Sequence, residues 1–272
     1  MTTTNAVYYG AQYDEVSTGE SALNAAYSES LDSISTENSS DAMVTIMTST
    51  LILVCMWQEA QMMNSIVTMD ALSTMESDEN GMQADFDDYN EDWNDTYNST
   101  YDTAYNQYME EGYSSGDADS LASEDASSAA DEQNAYLITD AESYAYDMES
   151  IAALPEFSSI SGDVDTQVDT IFDTNADGSF DTSSTQSDWD SAVNGNYSSG
   201  SSDDDDQSAD LMQGYTNAFS ALSTDFSNQS SEAQSEMQYY ESEDQQMQGL
   251  DETLMQDWAT ELQSMINNQI TS

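Results

Sequence analysis

The residues whose spacing carries the most specific chemistry run from Asp173 to Asp181, reading DTNADGSFD. They follow the first nine positions of an EF-hand-type calcium loop. Asp173, Asn175 and Asp177 fall at positions one, three and five, Gly178 at the sharp turn, and Ser179 and Asp181 at seven and nine. Phe180 sits where a hydrophobic residue anchors such a loop. Calcium takes about six to eight oxygens, and alternating carboxylate and amide side chains around a glycine turn can supply them. The twelfth position, a bidentate Glu in the complete motif, is Ser184, and the next carboxylate downstream is Asp188. A weak Ca2+ site is therefore expected, in the roughly 10⁻⁴ to 10⁻³ M class of extracellular modules. In so acidic a chain the same spacing also arises in a plain Asx-turn loop, so both readings stand. Asp203 to Asp206 read as a solvated loop.

Few other residues could react. The 272 residues include 55 Asp and Glu and no Lys, Arg or His, for a formal charge of −55. Imidazole bases, Schiff-base lysines and arginine clamps are absent, and the single Cys55 lies in an apolar run with no activating base beside it. An enzyme is not expected. Nucleic acid and anionic membrane surfaces both recruit Lys and Arg, so neither is an expected partner. One cysteine forms no internal disulfide. The opening MTTTNAVYYGAQYDEVSTGES lacks the positive n-region of a Sec signal peptide, so any export is expected by another route.

Leu, Ile, Val and Phe make up only about 14% of the chain, below the roughly 20% at which a highly charged chain is expected to lose a conventional core. The apolar residues present are arranged for long helices. Residues 1–40 read as a flexible segment or a short helix near 19–35. Asp41 is an N-cap for AMVTIMTSTLILVCMW, and no charge appears from Ala42 to Gln58. As a helix those roughly 17 residues span about 26 Å, just short of a bilayer core. Without a basic anchor or flanking aromatic belts, burial in an assembly is preferred over a membrane span. Phe86, Tyr89, Trp93, Tyr97, Tyr101, Tyr105 and Tyr108 then recur every three or four residues, giving one aromatic ridge on an acidic helix over 41–111. Gly81 costs that helix about 1 kcal/mol without ending it.

A second pair of stripes lies at the far end: Leu211, Tyr215, Phe219, Leu222 and Phe226, then Met247, Leu250, Leu254, Trp258, Leu262 and Met265. The fold expected is all-α, with two long terminal amphipathic helices packed as a coiled-coil rod. Between them, 112–206 is expected to be a small irregular or α-rich module: Gly, Ser, Asp and Ala at 112–135, a helix over 136–154 stopping before Pro155, and an exposed loop at 194–206. The C-terminal helical region is 207–272. A chain this poor in aliphatics needs a partner surface for its stripes. The expected assembly interface comprises Leu51, Val54, Trp57, Phe86, Tyr89, Trp93, Tyr97, Tyr101, Leu250, Leu254, Trp258, Leu262 and Met265.

These features resemble the EspA-like filament proteins of type III secretion systems. The resemblance rests on a Ser/Thr-rich start, the run TLILVCMWQEAQMMNSIVTM with Met56, Trp57, Gln58 and Gln61, and terminal helices separated by a variable middle. It covers roughly 40–75 and 207–270. It implies a self-assembling extracellular or cell-surface filament subunit that forms a helical homopolymer, with a secretion needle and an export chaperone as further partners. The complete lack of Lys and Arg departs from that family. Two other readings are an acidic calcium-binding surface protein and a translocator that inserts the 42–58 helix into a membrane.

Overall fold

In the computed structural model the backbone is described over residues 4–36, 40–194 and 202–270, and side chains over 5–30, 32–33, 46–193, 209–247, 249 and 253. Helix is the regular structure throughout these residues: α1 (Thr4–Thr36), α2 (Ser40–Glu111), α3 (Ser115–Ala152), a 3₁₀ turn (Pro155–Phe157), α4 (Ser161–Ile171), α5 (Thr182–Asn194) and α6 (Ser202–Ile270). The all-α expectation holds. The side chains of Leu250, Leu254, Trp258, Leu262 and Met265 lie outside those described.

The first segment is a 33-residue helix rather than a flexible stretch or a short helix over 19–35. Its tyrosines explain why. Tyr9 and Tyr13 are buried, and each hydroxyl finds a partner on α2: Tyr9 donates to the Asp70 carbonyl at 3.2 Å and Tyr13 to Thr68 Oγ1 at 3.0 Å. Further along, Gln61 donates to Glu20 at 2.6 Å and Thr50 to Ser30 at 3.0 Å, so the two helices run antiparallel. Burying an aromatic body while satisfying its polar tip is the most a Tyr can contribute to a core.

Helix α2 continues through Gly81 and stops at Gly112, whose φ of +91° starts a Schellman-type end: Tyr113 N–H reaches the Tyr108 carbonyl at 3.1 Å and Gly112 N–H reaches Met109 at 3.2 Å. Gly81 serves packing. A Cβ there would meet the Tyr144 ring of α3 at 2.8 Å.

Helix α3 starts at Ser114, whose side chain accepts from Asp117 N–H at 3.2 Å, and ends before the extended Leu154 and Pro155. It takes in 115–135 as well as the expected 136–154. Ala118, Ala122, Ala126 and Ala130 are fully buried at every fourth position, so one face of α3 is small enough for a neighbouring helix to approach closely. Among its described residues the central region is thus largely helical, with α4 and α5 following α3, and Asp203 to Asp206, expected in an exposed loop over 194–206, belong to the first turns of α6; residues 195–201 lie outside those described.

The chain forms two compact units, residues 1–6 with 72–227 and residues 7–71 with 228–272. The core of the first brings together α2, α3, α4, α5 and α6. Phe86 meets Trp189 at 4.9 Å and Tyr215 at 5.2 Å between ring centroids, and Trp189 meets Tyr89 at 5.3 Å and Phe172 at 5.9 Å. In the second, α1 and α6 pack on α2, with Trp57 against Tyr240 at 6.2 Å and Gln58 donating to Glu243 at 3.2 Å.

Candidate calcium loop and assembly surface

The loop from Phe172 to Asp181 joins α4 to α5, so Thr182 to Ser184 already belong to the first turn of α5. The backbone closes tightly. Thr174 and Phe180 form an antiparallel bridge, Asn175 N–H donates to the Ser179 carbonyl at 2.7 Å, Asp181 N–H to Asp173 at 2.8 Å, and Gly178 turns at φ +82°. Phe180 acts as the anchor: it is buried, with its ring 4.4 Å from Tyr146 and 5.2 Å from Phe172.

The ligand-type side chains are turned to one another instead of to a common centre. Asp177 Oδ1 accepts from Ser179 N–H at 3.2 Å and Ser179 Oγ at 2.7 Å, which holds its carboxyl below the usual range. Asn175 Nδ2 donates to Ser179 Oγ and to the Phe180 carbonyl, both at 3.2 Å. Asp181 Oδ1 accepts from Ser184 N–H at 3.2 Å, acting as the N-cap of α5. Asp173 is raised by partial burial and then by Asp188 facing it. Among the described residues no three acidic, thiol or imidazole groups converge as a metal cage. Asp173, Asn175, Asp177, Ser179 and Asp181 share one loop, and a cation would have to replace these internal bonds.

The aromatic ridge is divided between the chain's own core and a surface stack. Phe86, Tyr89 and Trp93 are buried within the first unit, so these rings face the chain's interior instead of a partner. Beyond them Trp93, Tyr97, Tyr101 and Tyr105 stack nearly parallel, at 5.1, 6.1 and 5.9 Å between successive centroids. Tyr97 and Tyr101 are half-buried. Carboxylates of α3 take the donors of this face: Trp93 Nε1 donates to Asp131 at 2.8 Å, Tyr101 to Asp119, and Tyr108 to Asp125 at 2.7 Å. With no basic residue in the chain, neutral N–H and O–H groups are its side-chain donors to carboxylates.

Carboxyl groups also enter the core of the first unit. Asp78, only 8% exposed, faces Asp147 of α3, which also receives the Asn5 amide. Its Oδ2 has no hydrogen-bond partner in the structure, and burial, then Asp147, push its carboxyl up to about 7. Glu79 is pushed up to about 7 by burial and then Glu76. Asp190 accepts from Tyr89 and lies against Asp131, and its carboxyl also rises to about 7, chiefly through burial. Spacing gave a clue to two of these acids: Asp78 and Glu79 fall in register with the buried Met75, Met82 and Phe86.

The surface least like the rest of the chain is on α2 in the second unit. Ile52, Met56, Met63 and Ile66 are 55, 47, 48 and 44% exposed. At roughly 100° per residue they form one row. Leu51, Val54 and Trp57 are half-buried on other sides of the helix. Glu59 is the only carboxylate between Ala42 and Met69, whereas about one residue in five is acidic over the whole chain. Where the same row continues past Ile66 it becomes polar, through Asp70, Ser73, Ser77 and Asn80. On another side of α2, Leu23, Asn24 and Tyr27 of α1 with Leu53, Val54 and Trp57 line an open, mainly apolar pocket of about 230 Å³. Among the described residues no helix is long and apolar enough to cross a membrane; the side chains of 42–45, which begin the 42–58 run, lie outside those described.

No family of known proteins, no curated protein and no solved structure matches this chain.

Proposed function

We propose that this protein is a structural, self-assembling subunit of an extracellular or cell-surface filament, resembling the filaments that extend type III secretion needles. In this reading the long helices α2 and α6 pair as a coiled coil and copies associate through the second unit. The supporting observation is the exposed row of Ile52, Met56, Met63 and Ile66 on the most weakly charged stretch of the chain. Like copies with a charge of −55 repel one another, and a contact between them costs least where carboxylates are fewest. A basic partner would be drawn to the acidic faces and would find almost no complementary charge at this row.

The magnitudes set the conditions. Burying four half-exposed aliphatic side chains yields roughly 1 kcal/mol each. That total is near the lower end of the roughly 4–15 kcal/mol cost of association, so assembly should depend strongly on screening. Packing like-charged carboxylates raises their pKa, and the resulting stability is present at low pH and lost as pH rises through the assembled-state values. Sedimentation velocity and electron microscopy should therefore show polymers growing with salt and on acidification toward about pH 5. Met56→Ser combined with Met63→Ser should leave a helical monomer. A wild-type chain that stays monomeric at high concentration across these conditions refutes the proposal.

A calcium-binding role is favoured by a separate observation: the loop lies between two helices with Phe180 seated as its anchor. In this second reading the cation displaces the internal hydrogen bonds of Asp177 and Asn175.

A further inference from the structure

The exposed row and the pocket lie on different sides of the same helix. Taking Ile52 as zero and roughly 100° per residue, Met56, Met63 and Ile66 lie within about 40° of it, while Leu53, Trp57 and Val54 point roughly 100–200° away. We infer that the second unit assembles head to tail, with the Met56 and Met63 ridge of one copy entering the pocket between α1 and α2 of the next. This rests on the self-assembly proposed above and specifies its geometry.

The pocket suits a flexible thioether. A cavity of about 150 Å³ admits benzene, so about 230 Å³ has room for a methionine side chain. Its walls are apolar apart from Asn24, and methionine adapts its shape to an irregular hole. The occupant assigned is a second copy of this chain, on grounds of charge. None of the six pocket residues is a carboxylate, and the ridge carries only Glu59, so this pairing places very little negative charge face to face. A basic peptide would gain no ion pair from the pocket lining itself.

The geometry also determines what kind of assembly results. Were ridge to meet ridge, the contact would be two-fold and would close as a dimer, leaving both pockets open. Ridge into pocket uses two different patches, so a joined pair keeps one unused ridge on one copy and one unused pocket on the other, and growth continues.

The test uses the full chain in a Cys55→Ser background, so that engineered thiols are the only ones. One preparation carries Met56→Cys and the other Asn24→Cys, both at exposed positions. They are mixed in equal amounts in about 0.5 M salt, where the screening length is only a few ångströms, and treated with a short bismaleimide. Head-to-tail contact predicts a covalent dimer containing one chain of each kind and no Met56→Cys homodimer, identified by mass spectrometry. Polymers in which the Met56→Cys homodimer predominates would overturn the head-to-tail arrangement and leave self-assembly intact. A mixture that remains monomeric by sedimentation would overturn both. Filling the pocket with Val54→Phe provides a second check: loss of polymers with helicity retained by circular dichroism supports the arrangement, and polymers that persist unchanged refute it.

Discussion

Replacing Asp78 with Asn should stabilise the first unit at neutral and alkaline pH and do little in acid. Asp78 is nearly inaccessible, faces Asp147, and has a carboxyl pushed from an ordinary 3.8 up to about 7. Because the folded form holds the proton more tightly, its contribution to stability is fully present below about 4 and lost as pH rises through about 7. A rise of about three pH units corresponds to about 4 kcal/mol. The unfolded chain repels its own carboxylates too, which raises the reference value and leaves roughly 2–3 kcal/mol. The neutral amide carries no such penalty, so Asp78→Asn should gain that much at pH 8 and converge with wild type near pH 4. Urea unfolding can be followed by Trp93 and Trp189, both buried in the first unit, in a Trp57→Phe, Trp258→Phe background. A difference between the two proteins that is constant from pH 4 to pH 8 would refute the reasoning.

Removing the one charge within the ridge, Glu59→Gln, should promote assembly at lower salt, seen as a shift of the sedimentation profile to larger species. Gly81→Ala should cost about 1–2 kcal/mol because its Cβ meets the Tyr144 ring, whereas in a Tyr144→Ala background the same change should stabilise by up to about 1 kcal/mol through helix propensity. Calorimetry in excess magnesium should show calcium binding with a Kd of roughly 10⁻⁴ to 10⁻³ M. The double variant Asp173→Ala, Asp177→Ala should lose it, and equal isotherms for the two proteins would mark the loop as an ordinary acidic turn.

Long helices were readable from spacing because large side chains at every third or fourth position leave little alternative. Helix α2 covers 40–111 against an expectation of 41–111, and the stripe from Tyr215 to Phe226 packs as its period implies. The start of α3 was hidden by the kind of residue that makes it work. Alanines at 118, 122, 126 and 130 resemble a low-complexity segment until a neighbouring helix requires a small face. Helix α1 was obscured by polar residues among which only a few tyrosines mark the buried side. The ridge at Ile52 was masked because the 42–58 run is apolar all round, so no side stands out before α1 and α6 cover part of it. In the loop, residue order revealed the Asp173 spacing, but only coordinates could show Asp177 and Asp181 already engaged by Ser179 and Ser184.

The column formed by Trp93, Tyr97, Tyr101 and Tyr105 also has an optical consequence. Near-parallel chromophores about 5–6 Å apart exchange excitation far faster than they emit, so light absorbed by the three phenols is delivered to the indole at one end. With the other tryptophans replaced by Phe, the part of Trp93 emission excited through these three tyrosines depends on the continuity of α2 from 93 to 105. Unwinding between rungs separates the rings beyond the break from the indole and returns part of their tyrosine fluorescence, giving a label-free signal that this helix has frayed.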